Sequence, residues 1–466
     1  MFESYQHVVR RRFGGGRRAL ALAIAVSAPF GWAGGQNASA PSSARDSGSV
    51  TLLSVLAAVT VNHPLVSAAE ARMRAARGSR TTAGAFGNPV LTYQVENAPF
   101  PGRTGPDGII RETSTFATLP LEPLWQRASR VSRANDDVAA AEADVVTTRR
   151  SVALDAARAF HRVAFAQLSA DATSEVIVGL DSLVRYTRTR VSEGATAEGD
   201  LLRLEVERDR ITTDRALQEA ELAQARAGLQ PYLVSVTSAA GGALSLDTLR
   251  VAALGATTGV GEASLRAGLV LPSRVGLADQ AAAIRPDVMA ARARARAAGA
   301  DVGLQRALTV RQIGATFGTK STGGASTMIA GLSLPLPLFD QNRGEVQRAR
   351  AEQTAVEQAL RWTELRAAAD VVGAYDAARI LTERVDALQA GFLARAEASR
   401  AVALAAYREG AVPLLSVLDA TRTLVDARLT YLRARYAQQD AVLALYVAAG
   451  LDPSQALAGA SRITAP

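Results

Sequence analysis

The chain has only three histidines, His7, His63 and His161, and no cysteine. A transition-metal centre needs several His, Cys or carboxylate ligands close together. His63 and His161 have no paired spacing. His161 lies among Phe160, Val163 and Phe165, so it reads as a packed or interfacial residue. Without cysteine there is no thiolate site, no disulfide and no lipidated N-terminal cysteine. Gly255 to Gly261 is glycine-rich, but no strand–turn–helix pattern surrounds it, so no phosphate loop is expected. Arg292, Arg294 and Arg296 alternate with alanine on a helix, the mark of a solvated or ion-paired face. No aromatic platform accompanies them, which argues against nucleic acid. The expectation is no enzyme, no cofactor and no resident metal.

Charged residues gather instead at two breaks in the chain. The first is Glu193-Gly194-Ala195, followed by Glu198, Asp200 and Arg203. The second is Tyr407-Arg408-Glu409-Gly410, followed by Pro413, Ser416, Asp419 and Arg422. Glycine allows the backbone of a tight reversal. Asp419 and Arg422 stand at i,i+3, so a surface ion pair is one reading of that aspartate.

Both breaks interrupt very long helical patterns. Leu124 to Gln230 contains no proline in 107 residues, and Val131, Val138, Val145, Val152 and Ala159 fall seven apart. The second run opens after Leu334-Pro335-Leu336-Pro337-Leu338-Phe339 and has no proline until Pro413. Its apolar residues, Val371, Tyr375, Ala378, Leu381, Val385, Leu388 and Phe392, are spaced by threes and fours, as on a helix packed along its length. From Gln341 to Arg408 such a helix measures roughly 100 Å. Return helices are expected over Leu201 to Leu229 and Leu414 to Val447.

Each hairpin follows a strand pair. Leu91, Tyr93 and Val95 alternate with Thr92, Gln94 and Glu96, and Thr113 to Leu121 is strand-like. Ile313, Ala315 and Phe317 alternate with small or polar residues, as do Met328, Ala330, Leu332 and Leu334. The plan occurs twice: Pro64 matches Pro286, Leu119-Pro120-Leu121 matches Leu334-Pro335-Leu336, and Glu193-Gly194-Ala195 matches Glu409-Gly410-Ala411. Residues Lys320 to Gly324 are expected as the turn of the second strand pair. Four strands cannot close a barrel, and open edges cannot face lipid, so strands from several chains must combine. Three chains would give about twelve strands. Tyr93, Phe100, Phe116, Trp125, Phe317 and Phe339 suit a bilayer-interface belt.

Composition agrees. Alanine and arginine dominate, and Lys320 is the only lysine among 52 basic residues. Arg10 to Arg18, the apolar Ala19 to Ala28 and the small residues at Gly31-Trp32-Ala33 read as a signal peptide. Removing residues 1–33, with five arginines and one glutamate, lowers the formal charge from +8 to +4. No later apolar run reaches the length of a membrane helix. The expected organisation is a signal peptide over 1–33, a flexible N-terminal arm over 34–49, a first repeat over 50–230, a linker or equatorial region over 231–276, a second repeat over 277–452 and a tail over 453–466. In the first repeat the strand pair spans about 88–121 and the helical hairpin 126–230; in the second they span about 310–336 and 341–450.

The double repeat resembles the TolC family of outer-membrane efflux proteins. The motif Tyr407-Arg408-Glu409-Gly410, then Leu418-Asp419-Ala420 with Leu424, carries the likeness best. Asn88 to Asn97 and Leu334 to Gly344 resemble its heavy-metal, CzcC-like branch. The resemblance implies a mostly α chain with a small β part and two αββα repeats. It implies a homotrimer with a 12-stranded outer-membrane barrel and a periplasmic α-helical tunnel. The implied function is a passive exit duct fed by a periplasmic adaptor and an inner-membrane RND-type pump, with divalent heavy-metal cations as cargo. A multidrug or organic-solvent duct and a soluble periplasmic coiled-coil adaptor are the alternatives. In this family aspartates past the hairpin turn can line the periplasmic entrance. Asp419 matches one of them, while Ser416 and Val412 replace charges that can occur there. One Asp419 per chain would place three carboxylates near an axis and attract cations. Candidate gate residues are thus Tyr407, Glu409, Gly410, Ser416, Asp419 and Arg422, with Glu193, Gly194 and Asp200 at the other tip.

Overall fold

The computed structural model describes residues 49–99, 109–122, 124–240, 250–251, 274–310 and 313–452. The expected signal peptide, Phe100, most of the arm and linker, and the C-terminal tail lie outside them. Ser49, expected in the arm, pairs with Arg250 in a short parallel bridge of β1 (Ser49–Val50) and β4 (Arg250–Val251).

The chain enters through α1 (Leu52–Asn62) and α2 (Pro64–Gly84). Thr51 and Ser54 form a capping box at the start of α1. His63 ends α1 and caps α2, its Nδ1 accepting from the Leu65 amide at 3.3 Å, with Pro64 in the first turn. The His63 ring stacks on Tyr232 at 5.7 Å, and desolvation lowers its pKa. Against expectation, Leu52–Gly84 is by length and composition apolar enough to cross a membrane. Its residues Val55, Leu56, Val59 and Val66 are fully buried, and α1 packs against the two helices of the first hairpin, which accounts for its composition without lipid.

Strands β2 (Val90–Glu96) and β3 (Glu112–Leu121) lead into α3 (Leu124–Ser192), about 100 Å long. The return helix α4 (Glu198–Ala240) is longer than expected, passing through Pro231 into the region read as a linker. Proline in a helix forfeits one hydrogen bond, but Leu229 and Leu233 are buried on either side of it and Tyr232 packs on the same core. Packing holds the helix.

The second half repeats the plan with α5 (Arg274–Ile284), α6 (Pro286–Ala307), β5 (Ile313–Thr322), β6 (Ala325–Ser333) and α7 (Arg343–Ala387). A π-helical turn, Leu388–Leu393, connects α7 to α8 (Ala394–Arg408), and α9 (Leu414–Ala448) returns. The helical period read over Val371 to Phe392 places Val371, Ala378, Val385 and Leu388 in the core. It gave no sign of the π turn. β5 runs through Lys320 to Thr322, and the turn shrinks to Gly323-Gly324, with φ of +60° and +91°. Two residues at positive φ are what the tightest hairpin requires.

Near the sheet, α3 packs between α2 and α6, and α6 packs on α7; toward the tips, α3 packs between α4 and α9. Ion pairs follow this layer. Arg292 reaches Glu364 at 2.8 Å, Arg296 reaches Asp136 at 2.8 Å, and Arg294 pairs with Asp144, so the arginine run is an ion-paired face. His161, 2 % exposed, meets Asp440 at 2.5 Å between α3 and α9.

Candidate functional site

The four long strands form one antiparallel sheet in the order β2-β3-β5-β6. Its register sorts side chains by chemistry. Tyr93 faces Thr115, Ala117 faces Phe317, and Phe317 faces Ala330. Alternation then puts Leu91, Tyr93, Val95, Leu119, Leu121, Ile313, Ala315, Phe317, Met328 and Leu332 on one face. Tyr93, Phe317, Met328 and Leu332 are each more than 60 % exposed there. The other face carries Gln94, Glu96, Glu112, Ser114, Thr118, Thr316, Lys320 and Thr327. Lys320 pairs with Glu112 at 2.5 Å, and Thr118 meets Thr316 at 3.1 Å. An apolar outside and a polar inside is the pattern of a membrane barrel wall.

The register separates Phe116 from the aromatics grouped with it. Phe116 lies opposite Gly318, on the polar face, whereas Tyr93 and Phe317 are on the apolar one. A Cβ on Gly318 would come within 2.4 Å of the Phe116 backbone, so the close approach needs glycine. Trp125, in the first turn of α3, is 58 % exposed, and Phe339, between β6 and α7, is fully exposed. Both lie where strands pass into helices, beside exposed Leu334, Leu336 and Leu338.

Strands of 7 to 10 residues are about 24–34 Å long, enough to cross the apolar band when tilted. β2 and β6 bound the sheet and run in opposite directions. The β6 edge of one copy can therefore pair antiparallel with the β2 edge of the next.

At the far ends of the helices the two tips share one geometry. Gly194 and Gly410 have φ of +71° and +77°. The Ala195 amide donates to the Arg190 carbonyl and Gly194 to Val191, while Ala411 donates to Ala406 and Gly410 to Tyr407. Each is a Schellman reversal, which favours glycine at that position. Between the tips lies an apolar cluster of Val176, Leu180, Val184, Leu204, Tyr407 and Leu418. Tyr407 is 7 % exposed, and its hydroxyl has no partner. Glu193, Glu409 and Asp419 are exposed, Ser416 is half-buried, and Asp200 lies 3.8 Å from Arg203.

Arg422 does not pair with Asp419. Its guanidinium binds the carboxylate of Glu207 on α4 through two hydrogen bonds, one of 2.8 Å from Nε. Glu207 is buried, and the hydrogen bonds from Arg422 hold its pKa below the usual carboxylate range; the same contact raises that of Arg422. Glu207 was not anticipated from the sequence. It lies 215 positions before Arg422, on the other hairpin, beyond the reach of local spacing. Nearby, Arg428 on α9 ties α3 to α8, reaching Glu175 at 2.8 Å and Glu397 at 3.5 Å. Among the described residues no cluster of three or more His, Asp or Glu could hold a metal ion.

Residues 277–451 match the family described as outer membrane efflux protein. The chain is 35% identical to the pyoverdine export outer membrane protein OpmQ of Pseudomonas putida over 38% of its own length and 39% of that protein's, so this match spans about two fifths of the relative. It is 25% identical to the cobalt-zinc-cadmium resistance protein CzcC of Cupriavidus metallidurans over 83% of this chain and 86% of that one. The solved structure of the outer-membrane channel OprN superposes with a TM-score of 0.72 at 21% identity, covering 86% of this chain and 90% of that chain. A two-faced sheet on paired long helices, repeated twice, is thus a fold already known among outer-membrane channels. Residues 277–451 carry the match to the outer membrane efflux protein family, and the chain as described shares the fold of such channels.

Proposed function

We propose that the protein is the outer-membrane exit duct of a tripartite efflux system, working as a homotrimer. The observation that carries this is the sheet: one apolar face, one polar face, and two edges of opposite direction, set on helices about 100 Å long. Three copies close 12 strands into a barrel in outer-membrane lipid, and their helices continue the pore through the periplasm. A soluble coiled-coil adaptor would have no use for the exposed apolar sheet face. The duct performs no chemistry; an inner-membrane pump of the RND type and a periplasmic adaptor drive transport and open the tips.

Divalent heavy-metal cations are the cargo this reading favours. Its support is the match to CzcC, which extends over most of both chains. The shorter, more identical match to a pyoverdine exporter supports an organic cargo as the second reading. Asp419 fits a cation path: it is exposed at the tip, and Arg422 is engaged by Glu207 instead. Three such carboxylates would draw cations to the entrance.

Three measurements test these points. The purified protein should run as a detergent-dependent trimer and form pores in a planar bilayer; a soluble monomer without conductance refutes the duct. Asp419→Ala should weaken cation selectivity and block by multivalent cations, and unchanged values would leave Asp419 without a role in selectivity. Deleting the gene should raise sensitivity to zinc, cobalt or cadmium if the cargo is metal, and to organic compounds otherwise.

A further inference from the structure

The helix from Arg343 to Arg408 departs from α geometry only at Leu388–Leu393, where the π turn accommodates an extra residue. Gly391 lies inside that turn, and a Cβ there would meet the Arg395 guanidinium, at 3.2 Å. The corresponding stretch of the first hairpin, 216 positions earlier, is Ala172 to Ile177, with Glu175 where Gly391 stands. It is plain α-helix within α3. The two hairpins are otherwise parallel in plan, so this difference needs a reason.

Packing changes character at the same place. On the sheet side, Val385 and Leu388 cluster with Tyr431; on the tip side, Ala396 clusters with Leu424 and Ala427. Phe392 and Leu393 touch both clusters. Beyond the turn, only Ala396 and Tyr407 of the 15 residues of α8 are buried. Its ion pair to the return helix is a single long one, Arg428 to Glu397 at 3.5 Å, and the Arg400 guanidinium lies close to the Cα of Gly179 on α3. A segment with few buried contacts opens at low cost.

We propose that the π turn Leu388–Leu393 is the pivot on which α8 and the Gly410 tip swing away from the first hairpin. This rests on reading the tips as the closed end of the duct. A π turn can take up bending within one turn of helix while both flanks stay helical. From the turn to the tip, α8 is a lever of about 22 Å, so a bend of about 20° moves the tip by about 8 Å. Arg428, tied to Glu175 on α3 and to Glu397 on α8, and Arg422, bound to Glu207 on α4, hold the lever down.

The chain has no cysteine, so paired spin labels can be placed cleanly. One pair, Glu193→Cys with Glu409→Cys, spans the two tips. A second, Arg162→Cys with Glu383→Cys, lies on the sheet side of the turn. Labelled subunits are diluted into unlabelled trimers in nanodiscs and measured by double electron–electron resonance. Releasing the lever with Arg422→Ala and Arg428→Ala together should add a population longer by about 8 Å to the tip pair and leave the other pair unchanged. Deleting Ala390 restores the α period and should abolish that population. Gly391→Ala, a gentler change, should reduce it by about fivefold through its higher helix propensity. If Gly391→Ala and the deletion leave the longer population at full size, or if the double variant never produces it, the pivot is refuted. Bilayer conductance on the same proteins separates the two ideas: tip motion that depends on the turn without any conductance refutes the duct and keeps the pivot.

Discussion

Arg422→Ala offers a quantitative test of the tip. In the parent, the guanidinium gives two hydrogen bonds to a carboxylate whose side chain is 3 % exposed. The substitution leaves Glu207 buried, with Arg210 at 3.6 Å as its nearest cation. Hydrogen bonds to charged groups contribute about 1.5–3 kcal/mol. Because Arg422 itself is 46 % exposed, solvent can reach its place, and about 2 kcal/mol is the appropriate figure. That corresponds to roughly 30-fold faster opening-limited hydrogen exchange for the amides of residues 414–424, which can be followed by mass spectrometry. Glu207→Gln keeps a neutral acceptor and should cost about half as much. The pH dependence has a definite sign. The Glu207 pKa is lowered by Arg422, so the stabilisation is fully present above the unfolded value of 4.5 and is lost as pH falls through the depressed folded value. After correction for intrinsic rates, parental exchange should therefore approach that of Arg422→Ala only in acid, and Glu207→Gln should remove the dependence. Exchange in Arg422→Ala within twofold of the parent at neutral pH would refute this stabilising role of the Glu207–Arg422 pair, as would a parental tip indifferent to acid.

Two other substitutions probe the tip and the wall. Gly410→Val forces a β-branched residue to φ of +77°, at about 1–2 kcal/mol, and should increase proteolysis at that tip while leaving the barrel intact on gels. Phe317→Arg places a cation on the apolar face and should cost about 2–4 kcal/mol near the bilayer midplane, read as loss of trimers from the outer-membrane fraction.

Much of the architecture could be read from spacing. Period-two alternation marked Val90–Glu96, and recurring threes and fours marked the buried side of the helix ending at Arg408. Gly194 and Gly410 were legible because a reversal at positive φ asks for glycine. Three things were not. Pro231 reads as a terminator, because its lost hydrogen bond is local while the packing of Leu229 and Leu233 that outweighs it is not. The π turn keeps neighbouring apolar residues at spacings an α-helix also allows, so Leu388, Phe392 and Ala396 give no warning. The Glu207–Arg422 pair joins residues 215 apart, whereas Asp419 stood within the helical spacing that local reasoning inspects. Phe116 stands apart from Tyr93 and Phe317 because strand parity, which residue type does not reveal, decides the face.

The even number of strands in each αββα unit has a consequence for assembly. After β2 and β3, or β5 and β6, the chain faces the way it came. A ring made from such units preserves antiparallel pairing at every seam, whatever the number of units. A unit with an odd strand would reverse direction at its boundary and create a parallel seam. Circumference can therefore change only by whole hairpins, and each added hairpin brings two helix ends that the layer below must also accommodate. In the proposed duct, pore width in the membrane and girth in the periplasm are thus geared to one another by topology.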